Sequence, residues 1–173
     1  MKKKLPIYSK INALSMVLLS LLFIDGCKSI KLVPDFDASL SEQIMDTAKK
    51  VDAHYITMIG MFNDSITALS YEEVSDGYEE IEIELNSILL KNKVRELNNE
   101  SIQVSSTVLD TFIKYKNRHK SRAKGQSKIM LEDDWVVMKD LLFLLSVSED
   151  SKRYATEIEK LESNTGGEEW FLI

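Results

Sequence analysis

This sequence contains one cysteine, Cys27, and two histidines, His54 and His119. Cysteine and histidine side chains serve in other proteins as nucleophiles, general bases and metal ligands. Neither histidine belongs to the Glu-x-x-His or His-Glu-x-x-His spacing that helical di-iron and zinc-protease sites use. The sequence also lacks a Gly-x-Ser-x-Gly elbow and a glycine-rich phosphate loop. We therefore predict that the protein is not an enzyme and that it holds no metal and no cofactor. We interpret His54 as a partly exposed helix residue rather than a ligand.

The cysteine comes directly after a basic start and a short apolar run. Four lysines lie within the first ten residues, and residues 13–24 then form a charge-free run of 12 residues. A helix needs about 20 apolar residues to cross a bilayer, so this run is too short for a permanent anchor. Its length is typical of the apolar region of a signal peptide.

The residues next to the cysteine resemble the processing site of bacterial lipoproteins, in which Leu or Ile, any residue, and Gly or Ala precede an invariant cysteine. Ile24, Gly26 and Cys27 match this pattern, and Asp25 stands where the family prefers a small uncharged residue. The resemblance implies cleavage after Gly26 and a diacylglyceryl group on Cys27, usually with a further acyl chain such as palmitate. In enterobacterial lipoproteins a residue other than Asp after the cysteine, here Lys28, is the outer-membrane pattern.

Two alternatives to lipidation remain open on the sequence alone. Cys27 could be a free or buried thiol after an ordinary cleavage site, or the apolar run could be an N-terminal helix of a cytosolic protein. The basic flank, the apolar run and the Gly-Cys pair all favour the lipoprotein. Two or more acyl chains anchor a protein stably, so we expect a lipid anchor in the bacterial cell envelope, facing the periplasm, with the outer membrane favoured in a Gram-negative cell.

The chain after cleavage is acidic and has the length of one domain. About 147 of the 173 residues would remain. The whole chain carries 22 basic and 28 acidic side chains, and cleavage removes four lysines and one aspartate, which leaves a net charge of about −9. Such a charge opposes nonspecific binding to nucleic acid, so we predict no nucleic-acid partner. We divide the chain into a signal peptide at 1–26, a lipidated tether at 27–37, a helical domain at 38–163 and an apolar tail at 164–173.

Apolar residues after the tether recur at steps of three and four, which indicates amphipathic helices. Four such stripes are joined by short polar breaks, and they predict an all-α fold, an antiparallel bundle of about four helices. Ser39 and Glu42 form the pattern of a capping box at the start of the first helix. The stripes are Leu40, Ile44, Ala48, Val51, Tyr55, Met58 and Phe62; Val74, Tyr78, Ile81, Leu85 and Ile88, with Asn92 and Arg95 as optional further members; Ile102, Ser105, Leu109, Phe112 and Lys116; and Leu131, Trp135, Met138, Leu141 or Leu142, Leu145, Ser148, Tyr154 or Ala155, Ile158 and Leu161.

Two runs of charged residues with opposite sign lie on the second and third predicted helices. The acidic run contains seven carboxylates between Glu72 and Glu84, and the basic run lies between Lys114 and Lys124. A hairpin turn near Asn99 would place the two runs side by side, so we predict that they neutralise each other and set the register. The alternative is a basic patch for anionic head groups or the cell wall.

The C-terminus carries four consecutive large apolar residues after a Gly-Gly pair: Trp170, Phe171, Leu172 and Ile173. They either fold back onto the bundle or form a hook for a partner.

Small, uncharacterised helical bacterial lipoproteins loosely resemble the opening at 34–37, and this likeness implies no function. We therefore expect a binding or scaffold module that engages another envelope protein. The alternative is an inhibitor or exclusion factor that acts on an exported enzyme or an incoming agent.

Overall fold

The computed structural model describes residues 33–62 and 68–164, and these residues form four α-helices. Helix α1 spans Ala38–Gly60, α2 spans Ser75–Lys93, α3 spans Asn99–Lys120 and α4 spans Lys128–Asn164. Within the described ranges there is no strand, only one isolated antiparallel bridge. The prediction of an all-α bundle of about four helices is confirmed. Gly26, Cys27 and residues 170–173 lie outside the described residues.

Each helix packs on two neighbours, so the four helices enclose one core. Helix α1 contacts α2 and α4, and α3 contacts the same two helices. The Trp135 indole N–H donates to Asp52 at 2.7 Å, and the backbone N–H of Asp37 donates to Glu149 at 2.9 Å, which shows that α1 and α4 run antiparallel. The largest fully buried side chains are Tyr55, Tyr78, Phe112, Leu40, Ile44, Met58, Ile81, Leu85, Ile88, Leu131, Met138 and Leu142.

The first helix begins with an aspartate cap rather than the predicted capping box of Ser39 and Glu42. The Asp37 carboxylate accepts hydrogen bonds from the backbone N–H groups of Ser39 at 2.9 Å and Leu40 at 3.1 Å. Asp37 has extended backbone angles, as N-cap residues do. The capping-box prediction was wrong because the cap lies two residues earlier, where its carboxylate satisfies two free N–H groups of the first turn.

The connections before α2 and before α4 meet at the isolated bridge. The backbone groups of Leu69 and Gln126 exchange two hydrogen bonds, at 3.0 and 2.9 Å. Gly125 precedes this bridge with a φ of +74°, and a Cβ there would overlap the Leu69 carbonyl. Glycine is therefore required for the close approach of the two connections.

The predicted register of α2 and α3 is confirmed by an ion pair between Glu82 and Lys116. The remaining charges only partly match the predicted mutual neutralisation. Lys50 of α1 pairs with Glu80 at 2.9 Å and with Glu84 at 2.7 Å. The acidic run of α2 is therefore shared between α1 and α3, because α2 packs on both helices.

Candidate functional site

The two histidines lie in a buried aromatic cluster between α1, α2 and α3. His119 is fully buried, and its Nε2 lies 2.8 Å from the Leu69 carbonyl oxygen. A carbonyl can only accept, so this nitrogen carries the proton, and Nδ1 accepts the Tyr78 hydroxyl at 3.1 Å. The His54 ring stands edge-on to Tyr78 with 4.6 Å between ring centroids, and it occupies the space that a side chain at position 77 would fill.

This cluster has the chemistry of a core rather than of a catalytic site. Both ring nitrogens of His119 are engaged, one of them by a backbone carbonyl, so neither is available to activate a nucleophile. Burial raises the pKa of Tyr78 above its ordinary range and lowers the pKa of His119. Among residues 33–62 and 68–164, no group of three His, Cys, Asp or Glu side chains is placed to hold a metal ion.

The cluster makes the stability of the fold depend on pH. Burial, followed by the charge of His119, lowers the pKa of His54 from 6.5 to about 4. The unfolded chain takes up this proton near pH 6.5 and the folded chain only near pH 4, so proton uptake favours unfolding between these values. We expect the free energy of unfolding to fall by about 1.4 kcal/mol per pH unit for this histidine as the pH drops.

Urea unfolding followed by circular dichroism at pH 7, 6 and 5 measures this dependence. His54→Gln removes the titrating ring, so its stability should change less over the same range. An equally steep decline in the variant would contradict the assignment.

A second buried polar cluster fixes the start of α1 to α4. The Glu149 carboxylate receives the Arg95 guanidinium at 2.8 and 3.0 Å and the Lys152 ammonium at 2.6 Å. Lys152 also donates to the Asn98 side chain at 2.8 Å, and Glu149 accepts the backbone N–H of Asp37. This ionic cluster therefore holds the segment just before α1 against the fourth helix.

The pKa shifts of Glu149 and Lys152 depend on how many oppositely charged partners each side chain has. Burial alone would raise the pKa of Glu149, but the hydrogen bonds of its two cationic partners outweigh burial and hold the pKa below its ordinary value. Burial lowers the pKa of Lys152, and the single carboxylate partner only partly opposes this change. Each group keeps a hydrogen-bonded partner of opposite charge, which favours its ionised form.

Helix α4 is apolar on two opposite sides, and only one of them faces the core. Leu131, Met138, Leu142 and Leu145 are buried. At 100° per residue, seven further apolar residues fall within a sector of about 60° on the far side. We call them the outward stripe: Ile129, Val136, Phe143, Val147, Tyr154, Ile158 and Leu161.

The outward stripe is a row of exposed apolar side chains along α4. Phe143 is 66% exposed and Tyr154 is 69% exposed, and every other member is also exposed. Single exposed apolar residues are ordinary, but seven of them aligned on one side of a helix indicate an interaction surface. The spacing of seven, four and three residues is that of a helix seam that another helix covers.

A cavity adjoins the stripe between α4 and the start of α3. Its volume is about 570 Å³, within the range of about 300–1,000 Å³ that ligand pockets have. Leu97, Val104, Leu144 and Val147 supply apolar walls, and Val147 belongs to the outward stripe as well. We call it the α3–α4 cavity; its remaining lining residues are Val33, Pro34, Asn98, Asn99, Glu100, Ser101, Ser148, Ser151 and Lys152.

Acidic residues border the stripe, whereas two cations of α4 lie over aromatic rings. Asp133 and Asp140 are exposed, and both fall on the outward side of the helix. The Lys139 ammonium lies 4.7 Å from the centre of the Trp135 ring. The Arg153 guanidinium lies 4.4 Å from a phenylalanine ring in the segment before α1. Each of these two cations is therefore engaged by an aromatic ring, whereas the exposed Asp133 and Asp140 place negative charge at the apolar row.

The sequence patterns predicted only part of this surface. Tyr154, Ile158 and Leu161 were predicted to continue the core stripe of the last helix, and this was wrong, because all three are exposed. The predicted stripe steps six residues from Ser148 to Tyr154, which rotates it by about 240°, equivalent to 120° in the other direction, and so takes it off the core face. The seven-residue spacing of Ile129, Val136 and Phe143 was the signal that could have revealed the outward stripe.

Comparisons of the chain with models of protein families, with curated proteins and with solved structures found no match. In the part of the chain that the structure describes, no helix has the length and apolarity to cross a bilayer. A functional proposal therefore depends on the chemistry of the outward stripe and of the N-terminal sequence.

Proposed function

We propose that this protein is a lipid-anchored lipoprotein of the bacterial cell envelope that binds another envelope protein through the outward stripe of α4, without catalysis. The observation that carries the proposal is an apolar row on the face of a helix whose opposite face is the core. Burying such a row against a partner is favourable by roughly 25 cal/mol per Å² of apolar area, before the cost of association.

The bundle supports this function because it presents the stripe on a preformed element. Leu131, Met138 and Leu142 anchor the inner face of α4, so the outer face needs no ordering when a partner arrives. The ionic cluster adds a second attachment, where Glu149 receives cations from α4 and from the turn before α3. A rigid helix with an exposed apolar face is the surface that helix-in-groove and helix-on-helix recognition use.

The N-terminal sequence supports the anchored location. Cys27 precedes Val33, the first described residue, by six positions. Six residues span at most about 20 Å, so an acylated Cys27 would keep the start of the body close to a membrane surface. The segment at Phe36 and Asp37 is hydrogen-bonded to Thr156 and Glu149 of α4. The membrane-proximal end of the body would therefore include the C-terminal half of α4.

Site-specific photo-crosslinking in cells tests the binding surface. A photoreactive phenylalanine analogue at Phe143 is expected to capture one envelope protein, identified by mass spectrometry, because this ring lies in the middle of the stripe. The same analogue at Ile83 is the matched control, since Ile83 is 69% exposed on α2 and lies outside the stripe.

The captured protein should stop co-purifying when Val136, Phe143 and Tyr154 are replaced together by serine, while Ile83→Ser leaves co-purification unchanged. Circular dichroism checks that the variants keep their helices. Equal crosslinking from both positions, or none from position 143, would contradict the proposed docking surface.

A further inference from the structure

We infer that the outward stripe takes an amphipathic α-helix with basic residues beside its apolar row and a large apolar side chain that enters the α3–α4 cavity. The inference deepens the proposed function and rests on it. Three features carry it: the length of the stripe, the acidic edge and the cavity that opens beside Val147.

The shape of the stripe selects a helical partner. From Ile129 to Leu161 the stripe covers 32 helical steps, or about 48 Å at 1.5 Å per residue. Its spacing of seven, four and three residues matches the ridges that a second helix presents along its own axis. An extended strand would place successive side chains about 6.6 Å apart on one face and would require a free sheet edge, which α4 does not offer.

The α3–α4 cavity provides the anchoring point that a smooth helix face lacks. Its apolar walls come from both helices, and Val147 connects it directly to the stripe. Interfaces draw most of their energy from a few large side chains in such pockets. The serine hydroxyls at positions 101 and 148 are 2.9 Å apart and also line the cavity, so a tyrosine or tryptophan would find a hydrogen-bonding partner there.

The charges beside the stripe select a basic partner. Asp133 and Asp140 are exposed on the outward side of α4, whereas Asp150, which borders the same side, pairs with Arg153 at 3.2 Å. Lys139 and Arg153 lie over aromatic rings on the side of α1. Complementary charges at the edges of an apolar seam determine which helices pair and in which orientation.

A second copy of this chain fits the acidic edge poorly. In a parallel pair, Asp140 of one copy would face Asp140 of the other, because identical positions meet. In an antiparallel pair centred near Leu145, Asp140 would meet Asp150. Both arrangements bring like charges together beside the apolar row, which destabilises a helix pair.

Two synthetic 28-residue helical peptides test the inference. Both carry leucine at the seam positions and one tryptophan, and they differ only in having lysine or glutamate at the positions that flank the seam. Binding of the labelled peptides is measured by fluorescence anisotropy with the mature lipidated protein in neutral phosphatidylcholine vesicles, and protein-free vesicles serve as the blank. We expect the lysine peptide to bind at least about ten-fold more tightly than the glutamate peptide, because two or three complementary pairs contribute.

Three variants locate the binding. Phe143→Ser should lower the affinity for the lysine peptide by at least about ten-fold, because it removes a central apolar contact. Replacing Asp133 and Asp140 together by lysine should reverse the preference between the peptides. Ile83→Ser is the matched control and should change neither affinity, because Ile83 lies on α2.

Several results would overturn the inference. These are equal affinities of the two peptides, an affinity that Phe143→Ser leaves unchanged, and stronger binding after deletion of residues 170–173, which would make the tail the occupant. Crosslinking of two copies through position 143 would make a second copy the occupant. If neither peptide binds while position 143 still captures an envelope protein, the inference fails and the proposed function stands.

Discussion

Replacing Glu149 by alanine is expected to lower the free energy of unfolding by about 3–5 kcal/mol. The Glu149 carboxylate is 2% exposed and receives the Arg95 guanidinium and the Lys152 ammonium. Its removal leaves Lys152, itself buried, without an anion. It also leaves the backbone N–H of Asp37 without its acceptor. Breaking one partner of a buried ionic cluster is costly because the remaining charge stays out of water.

The neighbouring residue provides the matched control for this substitution. Asp150 pairs with Arg153 at 3.2 Å, but both side chains are about half exposed, at 51% each. Exposed pairs contribute about 0–1 kcal/mol, so Asp150→Ala should change the free energy of unfolding by less than about 1 kcal/mol. Urea unfolding at pH 7 followed by circular dichroism measures both variants. Similar losses in the two variants would show that the ionic cluster does not hold the fold.

The ionic cluster also makes the free energy of unfolding depend on pH in the acid range, and Glu149→Ala should lose this dependence. The pKa of Glu149 lies below its ordinary value in the folded chain, because its cationic partners outweigh burial. The stabilisation is therefore complete above the ordinary pKa of a glutamate, near 4.5, and is lost as the pH falls through the lower folded value. In Glu149→Ala this part of the acid transition should disappear.

The helices and their core could be predicted from the sequence because the signal was periodic. Leu40, Ile44, Val51, Tyr55 and Met58 recur at steps of three, four and seven, and all are buried on α1. Each of these steps returns a side chain to the same face of a helix. The same argument failed after Ser148 on α4, where the pattern offered apolar residues on both faces and a step of six passed from one face to the other.

The buried polar clusters could not be predicted, because their members are far apart in the sequence. Arg95 and Glu149 are 54 residues apart, and only the packing of α4 brings them together. His119 was assigned to a basic run by its neighbours in sequence, whereas the structure buries it against Tyr78 and the Leu69 carbonyl. Local composition could not reveal this, because a run of neighbouring residues on an amphipathic helix includes both solvent-facing and core-facing positions.

Charge pairing between helices was predictable only where one hairpin determined it. The turn near Asn99 brings Glu82 to Lys116, as the count of residues on each side requires. Arg118 lies two residues further along the same basic run but pairs with Asp134 of α4. The difference arises because α3 packs on both α2 and α4. The length of the hairpin between α2 and α3 does not determine which residues of α4 lie beside α3.

Replacing Cys27 by serine is expected to abolish acylation completely. The resemblance of the N-terminal sequence to lipoprotein signal peptides makes this sulfur the only attachment point, since the chain has one cysteine. Metabolic labelling with radioactive palmitate should label the wild-type protein and leave Cys27→Ser unlabelled. The variant should also migrate as a larger precursor, because cleavage after Gly26 would depend on the modified cysteine. Asp25→Ala is the matched control and should keep both the label and the cleavage.

A second variant separates the acyl anchor from the uncleaved signal peptide, which could hold the precursor at a membrane. Residues 1–26 are replaced by an ordinary secretory signal peptide, and Cys27→Ser is kept. Each buried CH₂ of an acyl chain contributes about 0.8 kcal/mol to membrane binding, so the loss of two or more chains removes the anchor. The described helices offer no span to replace it. We expect the variant to fractionate with soluble periplasmic proteins, and continued flotation with membranes would show that another part of the chain binds them.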